Sequence, residues 1–189
     1  VETEATILFC DLEDFTGLTE RHSPAGVVAL LNQYFAATLA VIERHGGVVN
    51  QFQGDGMLVT FNIPVPDLHH ADEAVEAATD MIRAMEAADF GAESLRIRIG
   101  VATGVVLAGN VGAGSRLSYT VHGDAVNLAA RLEQMNKAYG SRVLISGATA
   151  AQLTRDQPIE TVGAIAVRGK QHPVPVYQAI VDTCQSRSP

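Results

Sequence analysis

Apolar residues recur along the chain with two different periods, and the two periods separate strands from helices. Short, mostly apolar runs predict strands at residues 5–10, 48–52, 57–61 and 95–103. Between these runs, apolar residues at helical spacing predict helices at residues 23–45 and 70–87. The resulting order is strand, helix, strand, strand, helix, strand.

The rest of the chain predicts an extension of further strands and helices. A glycine-rich stretch at residues 100–114 reads as a strand with a hairpin-like turn. The pattern then predicts strands at residues 117–121 and 142–145, helices at 123–138 and 147–153, and edge strands around 165–167 and 174–181.

The βαββαβ order predicts an α+β fold, an α/β sandwich with a ferredoxin-like core and a C-terminal αβ extension. In that arrangement the third strand lies between the first two and runs antiparallel to the first. The end of the first strand then lies beside the turn between the second and third. We therefore expect Asp11 to lie beside Asp55, although 44 residues separate them in the sequence.

Charge and cysteine content narrow the class of protein. A formal net charge of -8 leaves no basic excess for a nucleic-acid backbone, although a small phosphorylated ligand can pair with metal ions. The two cysteines, Cys10 and Cys184, are far apart, which predicts a reducing, cytoplasmic setting rather than a disulfide framework.

No transmembrane run and no signal peptide are expected from the sequence. Because a strand begins almost at Val1, we interpret residues 1–189 as a single domain excised from a longer multidomain protein. A membrane would then be reached only through segments absent from this chain.

Two aspartates at predicted strand ends are the first candidates for chemistry. A pair of adjacent carboxylates repels unless cations neutralise it, and such a pair can hold two divalent ions. Asp55 lies in a Gly-Asp-Gly turn, a sequence that also suits a purely structural hairpin. Asp14 competes with Asp11 as a ligand, but Asp11 directly follows the apolar run.

The helix predicted after Gly123 carries the second set of candidates. Leu128, Leu132 and Met135 mark its expected buried stripe, whereas Asn127 and Arg131 fall on another face. An Asn there can hydrogen-bond a ribose and an Arg can reach a phosphate, but spacing alone favours an ordinary solvated face.

Lys170 and the adjacent pair His69 and His70 each suit either a functional or a purely structural role. Lys170 suits either a turn or a mobile phosphate clamp. His69 and His70, followed by Asp72, resemble metal ligands, but their place at a helix start favours capping and surface roles.

Four segments resemble the catalytic domain of the class III nucleotidyl cyclases, and the resemblance covers nearly the whole chain. They are residues 8–16 (LFCDLEDFT), 51–56 (QFQGDG), 119–131 (YTVHGDAVNLAAR) and 168–170 (RGK). The resemblance implies the class III cyclase fold and a head-to-tail homodimer with active sites at the interface.

The resemblance also implies roles for individual residues. Asp11 and Asp55 of one subunit would bind two Mg²⁺ or Mn²⁺ ions, which activate the ribose 3′-hydroxyl and hold the triphosphate. The partner subunit would supply Asn127 for the ribose and Arg131 for the transition state. Phosphate contacts would come from Lys170, from the backbone amides around Phe15 and Thr16, and more weakly from Arg116.

Gln51 departs from the family pattern. Members that use ATP usually carry Lys there to read the adenine, and members that use GTP usually carry Glu with a Cys at the second base-reading position. Thr120 occupies that second position and resembles a bacterial adenylyl cyclase subgroup, so ATP is the expected substrate. The Gln amide both donates and accepts, which leaves a guanylyl or dual-specificity cyclase as the alternative.

Two other interpretations are weighed against this one. Diguanylate cyclases share the core but carry a Gly-Gly-Asp/Glu-Glu-Phe turn, which the sequence around Asp55 does not match. A degenerate cyclase domain acting as a nucleotide sensor or dimerisation module is disfavoured because Asp11, Asp55, Asn127 and Arg131 are all present.

Overall fold

A mixed sheet with helices on both faces forms the domain. The computed structural model describes residues 1–113, 116–166 and 172–181, and the side chains of residues 111–118 lie outside the described part. The elements are β1 (Glu2–Leu12), α1 (Phe15–Arg21), α2 (Pro24–Arg44), β2 (Val48–Gln53), β3 (Gly56–Phe61), α3 (His70–Ala87), β4 (Ile97–Ala113), β5 (Arg116–His122), α4 (Asp124–Tyr139), β6 (Val143–Ser146), α5 (Gly147–Ala150), β7 (Ile159–Ile165) and β8 (Val174–Ala179).

The strand order confirms the predicted α+β fold with a ferredoxin-like core. In the described part of the chain the sheet runs β2-β3-β1-β4-β6-β8-β7, and β5 pairs with the far half of β4. β3 lies between β2 and β1 and is antiparallel to both. Because Cys10 pairs with Met57, the next residue on β1, Asp11, comes level with the β2–β3 turn.

Alternation along β1 divides its side chains between two apolar cores. Leu8, Cys10 and Leu12 belong to the core under α2 and α3. Ala5 and Ile7 belong to the core under α4. Since successive strand residues point to opposite faces, Asp11 lies on the α4 face.

The structure corrects several expected boundaries. α1 was not predicted, because its seven residues follow strongly polar positions and carry one buried side chain, Leu18. The region expected to hold a strand and a separate turn is one continuous strand, β4, of 17 residues. The edge strand predicted at 165–167 overlaps β7 only at Ile165, and residue 167 lies outside the described residues. β7 is at an edge of the sheet, whereas β8, the other predicted edge strand, lies between β6 and β7.

α2 overturns the expectation that no apolar run reaches transmembrane length. It begins as predicted, with the Ser23 hydroxyl accepting a hydrogen bond from the Gly26 amide and Pro24 in the first turn. Its 21 residues are long and apolar enough to cross a membrane by length and composition. It nevertheless packs Leu30, Tyr34 and Ile42 into the core, and a core helix passes the same test, so composition alone assigns no membrane segment.

Gly100 permits α4 to pack directly on β4. A Cβ at this position would lie 2.1 Å from the Ala129 carbonyl oxygen and 2.4 Å from the Glu133 amide nitrogen. The Asn136 side chain then donates a hydrogen bond to the Ile99 carbonyl at 2.9 Å. The depth and register of α4 against the sheet are therefore set at this contact.

We expect Gly100→Ala to lower the free energy of unfolding by about 3 kcal/mol or more, because backbone atoms must move to admit the methyl group. Gly109→Ala, in the same strand, is the matched control, since a Cβ there meets nothing within 4 Å. We expect its effect to stay within about 1 kcal/mol. Urea unfolding followed by circular dichroism measures both, and equal effects would contradict the packing argument.

Candidate active site

The carboxylates of Asp11 and Asp55 converge on one backbone amide. The Leu12 N–H donates to Asp11 Oδ1 at 3.0 Å and to Asp55 Oδ2 at 3.2 Å. Burial, together with the adjacent Asp55 carboxylate, raises the pKa of Asp11 to about 8. The two side chains thus form a half-buried acidic pair whose negative charge a bound cation would neutralise.

Asp14, the competing ligand, is turned away from this pair. It has a left-handed backbone conformation, with φ 55°, at the start of α1. Its side chain is 72% exposed and forms an ion pair with Arg21 at 3.4 Å. The geometry therefore favours Asp11 over Asp14.

α4 presents Asn127 and Arg131 to the exterior, and both are exposed in the single chain. The helix ends at Gly140, whose φ of 62° lies in the left-handed region. Its buried residues are Ala125, Ala129, Leu132, Glu133 and Asn136. The predicted stripe was therefore only partly correct, because Leu128 and Met135 are half-buried at its margin.

Arg98 and Glu133 are site residues that the sequence analysis missed. Arg98 is the β4 partner of Asp11, and its Nε donates to Glu133 Oε1 at 3.1 Å. Burial raises the pKa of Glu133 and the charge of Arg98 opposes that shift. One sequence signal could have found Arg98, because it lies between two apolar strand residues, Ile97 and Ile99. Once β1 is paired with β4, this position is on the same face of the sheet as Asp11.

The two base-reading candidates lie on strands that approach each other. Gln51 is exposed on β2, where it pairs with Leu58 of β3. Thr120 lies on β5 and its hydroxyl donates to the Gly109 carbonyl at 3.5 Å. β5 also contacts β2, although the two strands are not hydrogen-bonded neighbours in the sheet.

The phosphate-binding candidates are only partly described. Phe15 and Thr16 form the first turn of α1, and no side-chain hydrogen bond from Asp14 caps that turn. The side chain of Arg116 and all of Lys170 lie outside the described residues.

The expected surface role of the histidine pair holds for His69, which is exposed, and not for His70. His69 is at the N-cap of α3, but it makes no side-chain capping hydrogen bond. His70 is buried, with 6% exposure, and its Nδ1 is 2.7 Å from the Thr6 hydroxyl. The expectation of a surface residue was wrong for His70, since its ring is part of the domain interior.

A second group of possible metal ligands, His45, Glu73 and Glu76, lies where α2 meets α3, with ligand atoms within 4.8 Å of one another. Arg155 already pairs with both glutamates at 2.7 Å. These residues therefore form an ion-pair network that joins α2, α3 and the segment after α5.

Comparison with known proteins assigns the family. The model of the adenylate and guanylate cyclase catalytic domain matches residues 2–179, and the chain belongs to this family. It is 38% identical over 182 residues to "Adenylate cyclase 1" of Rhizobium meliloti, covering 94% of this chain and 27% of that protein. It is 31% identical over 180 residues to "Adenylate cyclase" of Anabaena cylindrica, covering 92% of this chain and 36% of that protein. The chain thus spans about a third or less of these relatives.

Solved structures agree with the fold. The guanylyl cyclase Cya2 superposes with a TM-score of 0.83 at 31% identity, covering 99% of this chain and 96% of that one. The adenylyl cyclase CyaB from P. aeruginosa superposes with a TM-score of 0.81 at 30% identity, with 97% of each chain covered. The predicted class III cyclase fold is confirmed, and structures of both substrate classes share it.

Proposed function

We propose that this domain converts ATP to 3′,5′-cyclic AMP and pyrophosphate for intracellular signalling in the cytoplasm. The observation that carries the proposal is the convergence of Asp11 and Asp55 on the Leu12 amide. Family membership and the relatives named adenylate cyclase support the reaction class.

The carboxylate pair suits hard divalent cations. Mg²⁺ and Mn²⁺ prefer oxygen ligands. Burial and the neighbouring Asp55 carboxylate raise the pKa of Asp11, and a bound cation would stabilise the charged form of the pair. Asp11 and Asp55 would hold two such ions. When bound, these ions lower the pKa of the ribose 3′-hydroxyl and neutralise the triphosphate.

The chain's own side chains would then bind and orient the nucleotide. Asn127 would hydrogen-bond the ribose, and Arg131 would stabilise the charge that develops at the α-phosphate. Arg98, beside Asp11, adds positive charge near the expected position of the triphosphate. Lys170, Arg116 and the amides around Phe15 and Thr16 are proposed as further phosphate contacts.

The direction of α4 supports a homodimer with shared active sites. Glu133 faces Arg98 beside Asp11 of its own chain. At about 100° per residue, Arg131 lies about 200° around the helix from Glu133 and therefore points away from that site. A second copy of the chain can bring Arg131 and Asn127 to Asp11 and Asp55, as the family resemblance implies.

ATP is favoured over GTP because Thr120 matches the bacterial adenylyl subgroup and the curated relatives above are named adenylate cyclases. A guanylyl or dual-specificity cyclase is the second candidate, since Gln51 can both donate and accept. The guanylyl cyclase Cya2 is also similar to this chain over nearly its full length.

Mn²⁺-dependent product formation from ATP and from GTP, with both products identified by mass spectrometry, tests the proposal. Cyclic AMP as the main product supports it. Cyclic GMP as the main product would favour the second candidate. Nucleotide binding without any product would indicate a degenerate sensor domain.

We expect Gln51→Lys to sharpen selectivity for ATP. Lys only donates, which suits the N1 acceptor of adenine and opposes the N1–H of guanine. A mismatched polar group costs about 1–3 kcal/mol, so the ratio of kcat/KM for ATP over GTP should rise about tenfold to a hundredfold. Steady-state kinetics with both nucleotides at one metal concentration measures the ratio.

Gln53→Lys is the matched control, because Gln53 is also an exposed glutamine of β2 and gains the same charge. Its ratio should stay within about twofold of the wild-type value. If Gln51→Lys leaves the ratio unchanged, Gln51 does not read the base and selectivity must come from Thr120 or the surrounding backbone.

A further inference from the structure

Arg98 is placed where it could block the proposed metal site. It is directly opposite Asp11 in the antiparallel pairing of β1 with β4. Side chains opposite each other in such a pair have Cβ atoms about 4.5–5.5 Å apart and interact readily when their charges are opposite. The long Arg98 side chain can therefore reach the Asp11 carboxylate, with which a guanidinium forms strong paired hydrogen bonds.

Glu133 holds Arg98 in a different direction. The Arg98 Nε donates to Glu133 Oε1 at 3.1 Å, and the two side chains are only 20% and 4% exposed. Within the described part of the chain, Arg98 forms this ion pair and none with Asp11. The Leu12 amide, rather than a guanidinium, is the donor shared by Asp11 and Asp55.

The backbone at Glu133 packs closely against β4. Its backbone amide lies against Gly100, where even a methyl group would not fit. One turn further on, the Asn136 side chain donates to the Ile99 carbonyl at 2.9 Å. Because α4 is attached to β4 on both sides of Glu133, the carboxylate is presented to Arg98 from a fixed backbone.

Stability by itself explains this pair poorly. Burying both charges costs desolvation free energy, and buried ion pairs replaced by apolar residues of similar size often leave stability unchanged or higher. Burial indeed raises the pKa of Glu133, against the opposing charge of Arg98. A role at the neighbouring carboxylates accounts better for the position of the pair.

We propose that Glu133 is a positioning residue that holds the Arg98 guanidinium away from Asp11, so that the Asp11 and Asp55 carboxylates remain open to a divalent cation. The inference rests on the proposed function, because it assumes that these aspartates bind the metal. When Glu133 is neutralised, Arg98 turns to Asp11, its strand partner, and competes with the ion.

Direct binding of Mn²⁺ to the nucleotide-free protein tests the proposal. Electron paramagnetic resonance of free Mn²⁺ gives the dissociation constant without any need for turnover. The proteins compared are the wild type, Glu133→Gln and the double variant Arg98→Met/Glu133→Gln. Asp11→Asn defines the background, because it removes a ligand of the proposed site.

We expect Glu133→Gln to bind Mn²⁺ about tenfold more weakly, and the double variant to recover to within about threefold of the wild type. Recovery is the result expected of Arg98 as the competitor, whereas a purely structural role of Glu133 would leave the double variant as weak as the single one. Unchanged affinity in Glu133→Gln, or no recovery in the double variant, overturns the proposal.

Two controls keep the outcomes separate. Glu86→Gln removes a carboxylate from another Arg–Glu pair, that of Arg142, and should leave Mn²⁺ affinity unchanged. If Glu133→Gln does not fold, Glu133→Met, which has a similar length and no polar group, replaces it with the same expected results. If Asp11→Asn binds as much Mn²⁺ as the wild type, the metal site of the proposed function fails; if only Glu133→Gln has no effect, this inference alone fails.

Discussion

Asp11→Asn and Asp55→Asn should each lower the rate of cyclic nucleotide formation at least about a thousandfold, equivalent to about 4 kcal/mol of transition-state stabilisation. Each change removes one charge from the pair that converges on the Leu12 amide. The fold should persist, because both side chains are only partly buried and relief of their repulsion offsets the lost hydrogen bond. Turnover at saturating Mn²⁺, with circular dichroism and thermal unfolding of the same samples, measures both effects.

Asp14→Asn is the matched control. It neutralises a carboxylate three residues from Asp11, and Asn tolerates the left-handed conformation found there. We expect it to keep activity within about threefold of the wild type, because Asp14 faces solvent and Arg21. Full activity in a folded Asp11→Asn protein would contradict the assignment of Asp11 as a metal ligand. Loss of activity only in Asp14→Asn would indicate that Asp14 is the ligand instead.

Mixing two inactive variants should restore activity if active sites are shared between subunits. In the proposed dimer, one subunit supplies the carboxylate half of each site and the partner supplies the helix half, on α4. Asp11→Asn inactivates the carboxylate half, and Asn127→Ala inactivates the helix half. In a heterodimer of the two, both defects fall in one site and the other site is intact. Random assembly of equal amounts makes half of the dimers heterodimers, so about a quarter of the wild-type activity should return.

Mixing Asp11→Asn with Asp55→Asn is the matched negative control. Both changes damage the carboxylate half, so each site of that heterodimer retains one defect and no activity should return. Activity measured after co-refolding over a range of ratios distinguishes the two mixtures. Equal recovery in both, or none in either with dimers present, would rule out the shared arrangement.

Local sequence patterns predicted the core elements well because their signals are short-range. The helix start at Ser23 and Pro24 and the turn at Gly54 and Asp55 depend on neighbouring residues alone, and the structure places both as expected. The position of Asp11 beside Asp55 also followed from the order of elements, since the ferredoxin-like topology determines which strand ends meet.

Features that depend on packing between distant segments were missed. α1 is short and has one buried residue, so no period marks it. The sequence favoured a surface capping role for His70, but its ring is buried and hydrogen-bonded to the Thr6 hydroxyl of β1. Glu133 carried no sign of its burial in the sequence, because its partner, Arg98, is 35 residues away.

The sequence by itself thus determined the class of fold, the meeting of Asp11 with Asp55, and the presence of Asn127 and Arg131 on one helix. The sequence also placed those two residues off the buried stripe, but only the tertiary structure decided that Glu133 belongs to the buried face of that helix. Gly100 lets α4 settle on β4 with Glu133 inward, and this turns Arg131 outward, away from the aspartates of its own chain. Helix periodicity specifies angles between residues on one helix, but the absolute orientation of the helix comes from the surface against which it packs.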